Sequence, residues 1–111
     1  MMSLPNAQTA HIDRSKVEGY LLSPSHPIGR FKYAFFLSLG YTPKAWERLR
    51  DDLLAIAGEN NALPGNPSTF GQKFEVDGIL SGPNGSAARI RTVWIVLAGE
   101  SVPRFVTAFP R

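Results

Sequence analysis

His26, Arg30, Lys32, Arg91, Arg104 and Thr107 carry the side chains in this sequence best suited to chemistry on a phosphate ester. An imidazole gives or takes a proton near neutral pH. Guanidinium groups grip phosphate oxygens two at a time, and an ammonium acts as a compact point charge. A threonine hydroxyl adds one further donor. His26, Arg30 and Lys32 fall close together, and Arg91, Arg104 and Thr107 lie near the end of the chain. Each also has a plainer role. His26 can order a Ser-Pro-rich bend. Arg30 and Lys32 can be solvated cations, pointing well apart at roughly 100° per helical residue. Arg91 and Arg104 can pair across strands with Glu75 or Asp77, and Thr107 is a natural β-branched strand residue.

The whole chain bounds what these groups can belong to. Its 111 residues suit one domain with one core. There are no cysteines, which excludes disulfides and thiolate zinc sites. His11 and His26 are too few and too far apart for a multi-histidine metal site. Asp51, Asp52, Glu75 and Asp77 make a poor divalent-cation cluster, because Asp51 and Asp52 are helix neighbours that point apart. No metal or other cofactor is expected. The net charge of +3 permits contact with phosphates without requiring it. No apolar run approaches the roughly 18 residues of a membrane span, and MMSLPNAQTA does not read as a signal peptide. A cytoplasmic protein without membrane contact is expected.

The elements that position the candidate residues follow from periodicity and stop signals. Residues 1–12 read as an extended arm. Asp13 can cap a short helix over about 14–22, with Val17, Tyr20 and Leu21 on its apolar face. Pro27 suits a first helical position, which makes His26 the capping residue of a second helix ended by Gly40. That helix end would offer free N–H groups to an anion. Its predicted apolar face is Ile28, Phe31, Phe35 and Leu39. Thr42 and Pro43 start a third helix over about 43–57, with Trp46, Leu49, Leu53 and Ile56 inward. Residues 58–70 read as a long loop. Residues 71–80, 88–97 and 104–110 read as strands, with a hairpin turn over 81–87 built on Pro83, Asn84 and Gly85. The predicted architecture is α+β: N-terminal helices (13–58) packed on a C-terminal antiparallel meander (70–110) of three to four strands. There is no P-loop, GxGxxG, GxSxG or HExxH pattern.

Read together, LPNA (residues 4–7), YLLSPSHPIGRFK (20–32), FGQKFEVDGILSGPNG (70–85), RTVWIV (91–96) and PRFVTAFP (103–110) resemble a small bacterial family of unknown function. That family occurs both standalone and as C-terminal modules of polymorphic toxins. More distantly, helices followed by a sheet that ends in a VTA[YF]P strand are similar to the barnase–EndoU–colicin–RelE group of metal-independent ribonucleases. Phe109 stands where that group often has tyrosine, so no phenol is available there as an acid.

The resemblance implies an endoribonuclease toxin that cleaves RNA through 2′-OH attack to a 2′,3′-cyclic phosphate. In that reading His26 is the base or acid and Lys32 the second proton-transfer group. Arg91 and Lys32 hold the phosphate, Thr107 with Arg104 completes the oxyanion contacts, and Arg30 adds to phosphate binding. It also implies a small acidic antitoxin or immunity protein as partner. The reading from the other class is a non-catalytic module that binds protein or nucleic acid through the same cleft.

Overall fold

Strict alternation in the last third of the chain becomes a four-stranded antiparallel sheet with strand order β1-β2-β3-β4. The computed structural model of the protein describes residues 2–111. Strands β1 (Ala62–Pro64), β2 (Gly71–Ser81), β3 (Ala87–Leu97) and β4 (Pro103–Pro110) form a meander. The helical part precedes it. Helix α1 (Arg14–Lys16) runs into a π-helical turn (Val17–Leu21), followed by α2 (Arg30–Ser38) and α3 (Trp46–Glu59). The fold is α+β, with helices first and sheet last.

One face of the sheet makes the core. Phe74, Val76 and Leu80 of β2 and Ile90, Thr92 and Trp94 of β3 are buried on it. Leu49, Leu53 and Ile56 of α3 cover them, as the stripe in the sequence predicts. Each such side chain contributes about 1.5–3 kcal/mol on burial. Thr92 is the buried polar residue. Its Oγ1 accepts from Trp94 Nε1 and donates to the Val76 carbonyl, both at 2.8 Å, so no polar group is left unpaired there.

Three local readings are corrected, and the arm's place is added. Residues 58–70 are not all loop: residues 62–64 pair with β2 as its outer neighbour. The N-terminal arm packs on the rest of the domain. Leu4 and Ile12 are in the core, and His11 exchanges backbone hydrogen bonds with Pro103 and Phe105 of β4. Met1, also in the predicted arm, lies outside the described residues. Helix α2 begins at Arg30, with residues 27–29 forming a turn ahead of it. Finally, its buried face is Phe36 with Leu39, whereas Ile28 and Phe31 are 61% and 74% exposed.

Helix α2 is clamped at both ends. At its start, a Cβ on Gly29 would lie 1.9 Å from the Tyr20 carbonyl oxygen, so only glycine lets the two segments approach this closely. At its end, Gly40 takes a positive φ of 96°. The β2–β3 turn then satisfies the last carbonyls: Asn84 Nδ2 donates to Ser38 O at 2.9 Å and Asn84 N to Leu39 O at 3.3 Å.

Candidate active site

A single irregularity in β4 places Thr107. Val93 pairs with Thr107 but Trp94 pairs with Phe105, which leaves Val106 as an extra residue, a β-bulge. Without it, Phe105 and Thr107 would share a face by the two-residue strand period. With it, Phe105 and Ala108 are buried in the core and Thr107 turns to the opposite face. Bulges commonly re-aim a side chain in this way.

Thr107 meets two residues from the helical part. Lys32 Nζ donates to Thr107 Oγ1 at 2.6 Å and to Tyr20 Oη at 2.8 Å, and the two hydroxyl oxygens lie 3.0 Å apart. Tyr20 projects from the π-helical turn, a device that often marks functional sites. Burial pushes its phenol pKa up, but the hydrogen bonds to Lys32 and Thr107 and the charges of Lys32 and Lys16 outweigh that. The net result is a phenol below the ordinary tyrosine value. Lys16 Nζ sits 5.9 Å from the Tyr20 ring centre.

These groups line an open cleft of about 690 Å³, together with Ser15, Gly19, His26, Ile28 and Val106. None of the lining residues is acidic.

His26 packs edge-on against Tyr20, ring centres 5.0 Å apart. Its Nδ1 accepts backbone N–H bonds from Ile28 at 3.0 Å and Gly29 at 2.9 Å. Two consequences follow. The ring proton of the neutral imidazole is fixed on Nε2, which makes His26 a hydrogen-bond donor to the cleft. The Ile28 and Gly29 N–H groups, expected to be free for an anion, are instead spent on the imidazole in the turn ahead of α2.

The structure thus brings His26, Lys32 and Thr107 together and adds Tyr20. It does not bring Arg91, Arg104 or Arg30 into the cleft lining. Arg91 is 15% exposed and held by carboxylates. It donates to Asp77 Oδ1 at 2.8 Å, Asp77 Oδ2 at 3.1 Å and Glu75 Oε2 at 3.2 Å. Hydrogen bonding to Arg91 holds the Asp77 carboxyl below its usual range; burial opposes this, while the charges of Arg91 and Arg111 reinforce it. Arg104 is paired with Glu100 at 2.9 Å. Arg30 lies against the ring of Phe31. Among the described residues, no three His, Asp or Glu side chains are grouped to hold a metal ion, and no helix is long and apolar enough to cross a membrane.

Tyr20 escaped the reading of the sequence because its spacing with Val17 and Leu21 assigned it to an apolar stripe. One signal was present: the block over residues 20–32 carries tyrosine, histidine and lysine in one run.

Residues 3–111 match the family described as domain of unknown function (DUF6883), and the chain belongs to that family. No curated protein matches it in sequence. Among solved structures, it is similar to a chain of a contact-dependent growth inhibition toxin–immunity protein complex from Klebsiella pneumoniae 342. The TM-score is 0.70 at 18% sequence identity, over 95% of this chain and 96% of that one. The likeness is one of fold.

Proposed function

We propose that this member of the DUF6883 family is a metal-independent ribonuclease of the toxin class. It cleaves RNA through its own 2′-OH, leaving a 2′,3′-cyclic phosphate and a free 5′-OH. The observation that carries this reading is the contact of Lys32 with two hydroxyls in a cleft that has no carboxylate to neutralise it. A cation held this way is available to a phosphate.

The groups divide the work as follows. Tyr20, as phenolate, takes the 2′-OH proton while the 2′-oxygen bonds to phosphorus. Lys32 gives a proton to the departing 5′-oxygen as the P–O5′ bond breaks. The proton gained by Tyr20 then passes to Lys32 across their 2.8 Å contact and resets the pair. His26 Nε2–H donates to a non-bridging phosphate oxygen, whose charge grows in the transition state. Thr107 holds Lys32 in place. In this scheme Arg91 is a cross-strand pairing cation and Arg104 pairs with Glu100, and neither touches the substrate.

An inhibitory partner fits the same surface. A small acidic antitoxin or immunity protein would cover a basic cleft with complementary charge. The fold shared with a chain of a toxin–immunity complex supports this at the level of architecture.

The test is incubation of the purified protein with total RNA in EDTA, alongside Lys32→Ala and Tyr20→Phe. Wild type is expected to produce fragments with 5′-OH and cyclic-phosphate ends, and the variants far fewer. RNA left intact by wild type, or fragments with 5′-phosphates, would sink the reading. RNA bound but uncut would favour a binding module instead.

A further inference from the structure

Phe31 is the most exposed aromatic residue of the helical part, at 74%, and Ile28, three residues earlier in the turn ahead of α2, is 61% exposed. Ile28 also lines the cleft, as does Lys32 one turn further on. The Arg30 guanidinium lies 4.6 Å from the Phe31 ring centre. An apolar shelf with a cation stacked on its aromatic ring therefore borders the cationic cleft. Resting on the ribonuclease reading, we infer that Phe31, Ile28 and Arg30 form a stacking platform for a nucleobase of single-stranded RNA, next to the phosphate held at Lys32.

Three features fit an unpaired nucleobase. Every base has a π-face that an aromatic ring can take without regard to sequence. A guanidinium beside the ring adds cation–π attraction for the same base. Ile28 lines the cleft with Lys32, and Phe31 directly precedes Lys32 on α2, turned about 100° from it, so a base on the shelf and the phosphate at Lys32 would belong to one strand passing over the cleft edge. The occupant must be single-stranded, because a base stacked on Phe31 has left its duplex neighbours. A polyanion suits the adjoining cleft, where Lys16 and Lys32 face no carboxylate. An apolar protein segment is the competing occupant, and the experiment separates the two.

The probe is a single-stranded oligonucleotide with 2′-deoxy sugars, which cannot be cut by 2′-OH attack. It carries one 2-aminopurine, whose fluorescence is quenched on stacking. Wild type is expected to bind it with quenching. Phe31→Ala should bind about tenfold more weakly with the quenching lost, and Phe31→Trp should restore both. Removing the base from the labelled nucleotide should weaken wild type but not Phe31→Ala. The exposed position predicts unchanged circular dichroism in both variants. Equal binding and quenching by wild type and Phe31→Ala would overturn the platform, even if the enzyme cuts RNA. So would a wild type that binds no oligonucleotide, which would leave the shelf to a protein partner. Binding that depends on Phe31 in a protein that cuts no RNA would uphold the platform and defeat the nuclease reading instead.

Discussion

Lys32 and Arg91 both lie beside Phe109. The ammonium of Lys32 is 5.7 Å from the ring centre, and Arg91 is the residue directly paired with Phe109 across the strands. Their partners set them apart. Arg91 is bonded by Asp77 and Glu75, with Arg111 sharing Asp77 at 3.3 Å, so the charges on the open sheet face are spent on one another. Among the described residues, Lys32 is bonded by the side-chain oxygens of Tyr20 and Thr107 and by no carboxylate. Neither is the permanent countercharge that a carboxylate gives Arg91. Residue type alone favours the arginine as the phosphate ligand; the surroundings favour the lysine.

Breaking the cleft side should have the largest effect. Lys32→Ala is expected to lower RNA cleavage about 10³-fold with circular dichroism unchanged, whereas Arg91→Gln should stay within about twofold. An equal loss in both variants, measured as initial rates on a defined RNA, would erase the distinction between the lysine and the arginine. Tyr20→Phe keeps the ring and removes the phenol. Its expected loss is about 10²-fold in the same assay, and a fully active variant would leave the base without an owner.

Gly29→Ala tests the clamp. Its Cβ would collide with the Tyr20 backbone, so α2 must shift and carry Lys32 with it. Cleavage should fall about tenfold or more, since small misplacements of reacting groups are costly, and Tm should drop. Gly58→Ala is the control: its Cβ meets nothing within 4 Å, and it should stabilise the protein by about 0.4–1 kcal/mol.

The pH dependence gives a finer contrast. If the phenolate of Tyr20 is the base, activity rises as pH climbs through the Tyr20 pKa, on a limb below the ordinary tyrosine value. Lys16→Gln removes one of the charges that lower that pKa, so the limb should move upward in a pH–rate profile. The sheet face should respond at the opposite end of the scale. The folded pKa of Asp77 is depressed, so its contribution to stability is present above the unfolded value of about 4 and is lost as pH falls through the lower folded one. Thermal melts should therefore show wild type losing more stability than Arg91→Gln below about pH 4. Parallel curves would mean the Asp77 and Arg91 contact carries no net stability.

What the sequence revealed depended on how local the signal was. Strands β2 and β3 and the inward stripe of α3 were legible, because alternation and helical spacing are written within each segment. Strand β1 was not: Ala62, Leu63 and Pro64 form a strand only because β2 offers them an edge. The bulge at Val106 has no local signature either, yet it decides which way Thr107 points. The exposed face of α2 misled because Ile28 and Phe31 are apolar at helical spacing, a pattern that ordinarily means core. Within the candidate site, His26, Lys32 and Thr107 were singled out by residue type. The phenol between them was not singled out, and the pairing of Arg91 with Asp77 and Glu75 depends on neighbours across the strands that residue type does not show.

The contact between Tyr20 and Thr107 joins residues 87 positions apart. A cleft closed by so distant a pair cannot exist until β4 has zipped onto β3, and pairings of this kind form late and slowly during folding. A nascent chain that has made only its helices and first hairpin already holds Tyr20, His26 and Lys32 but lacks the strand that anchors them. On the ribonuclease reading proposed above, such a chain would still lack a complete site, and the interval before the last strand docks would give an inhibitory partner its earliest chance to bind.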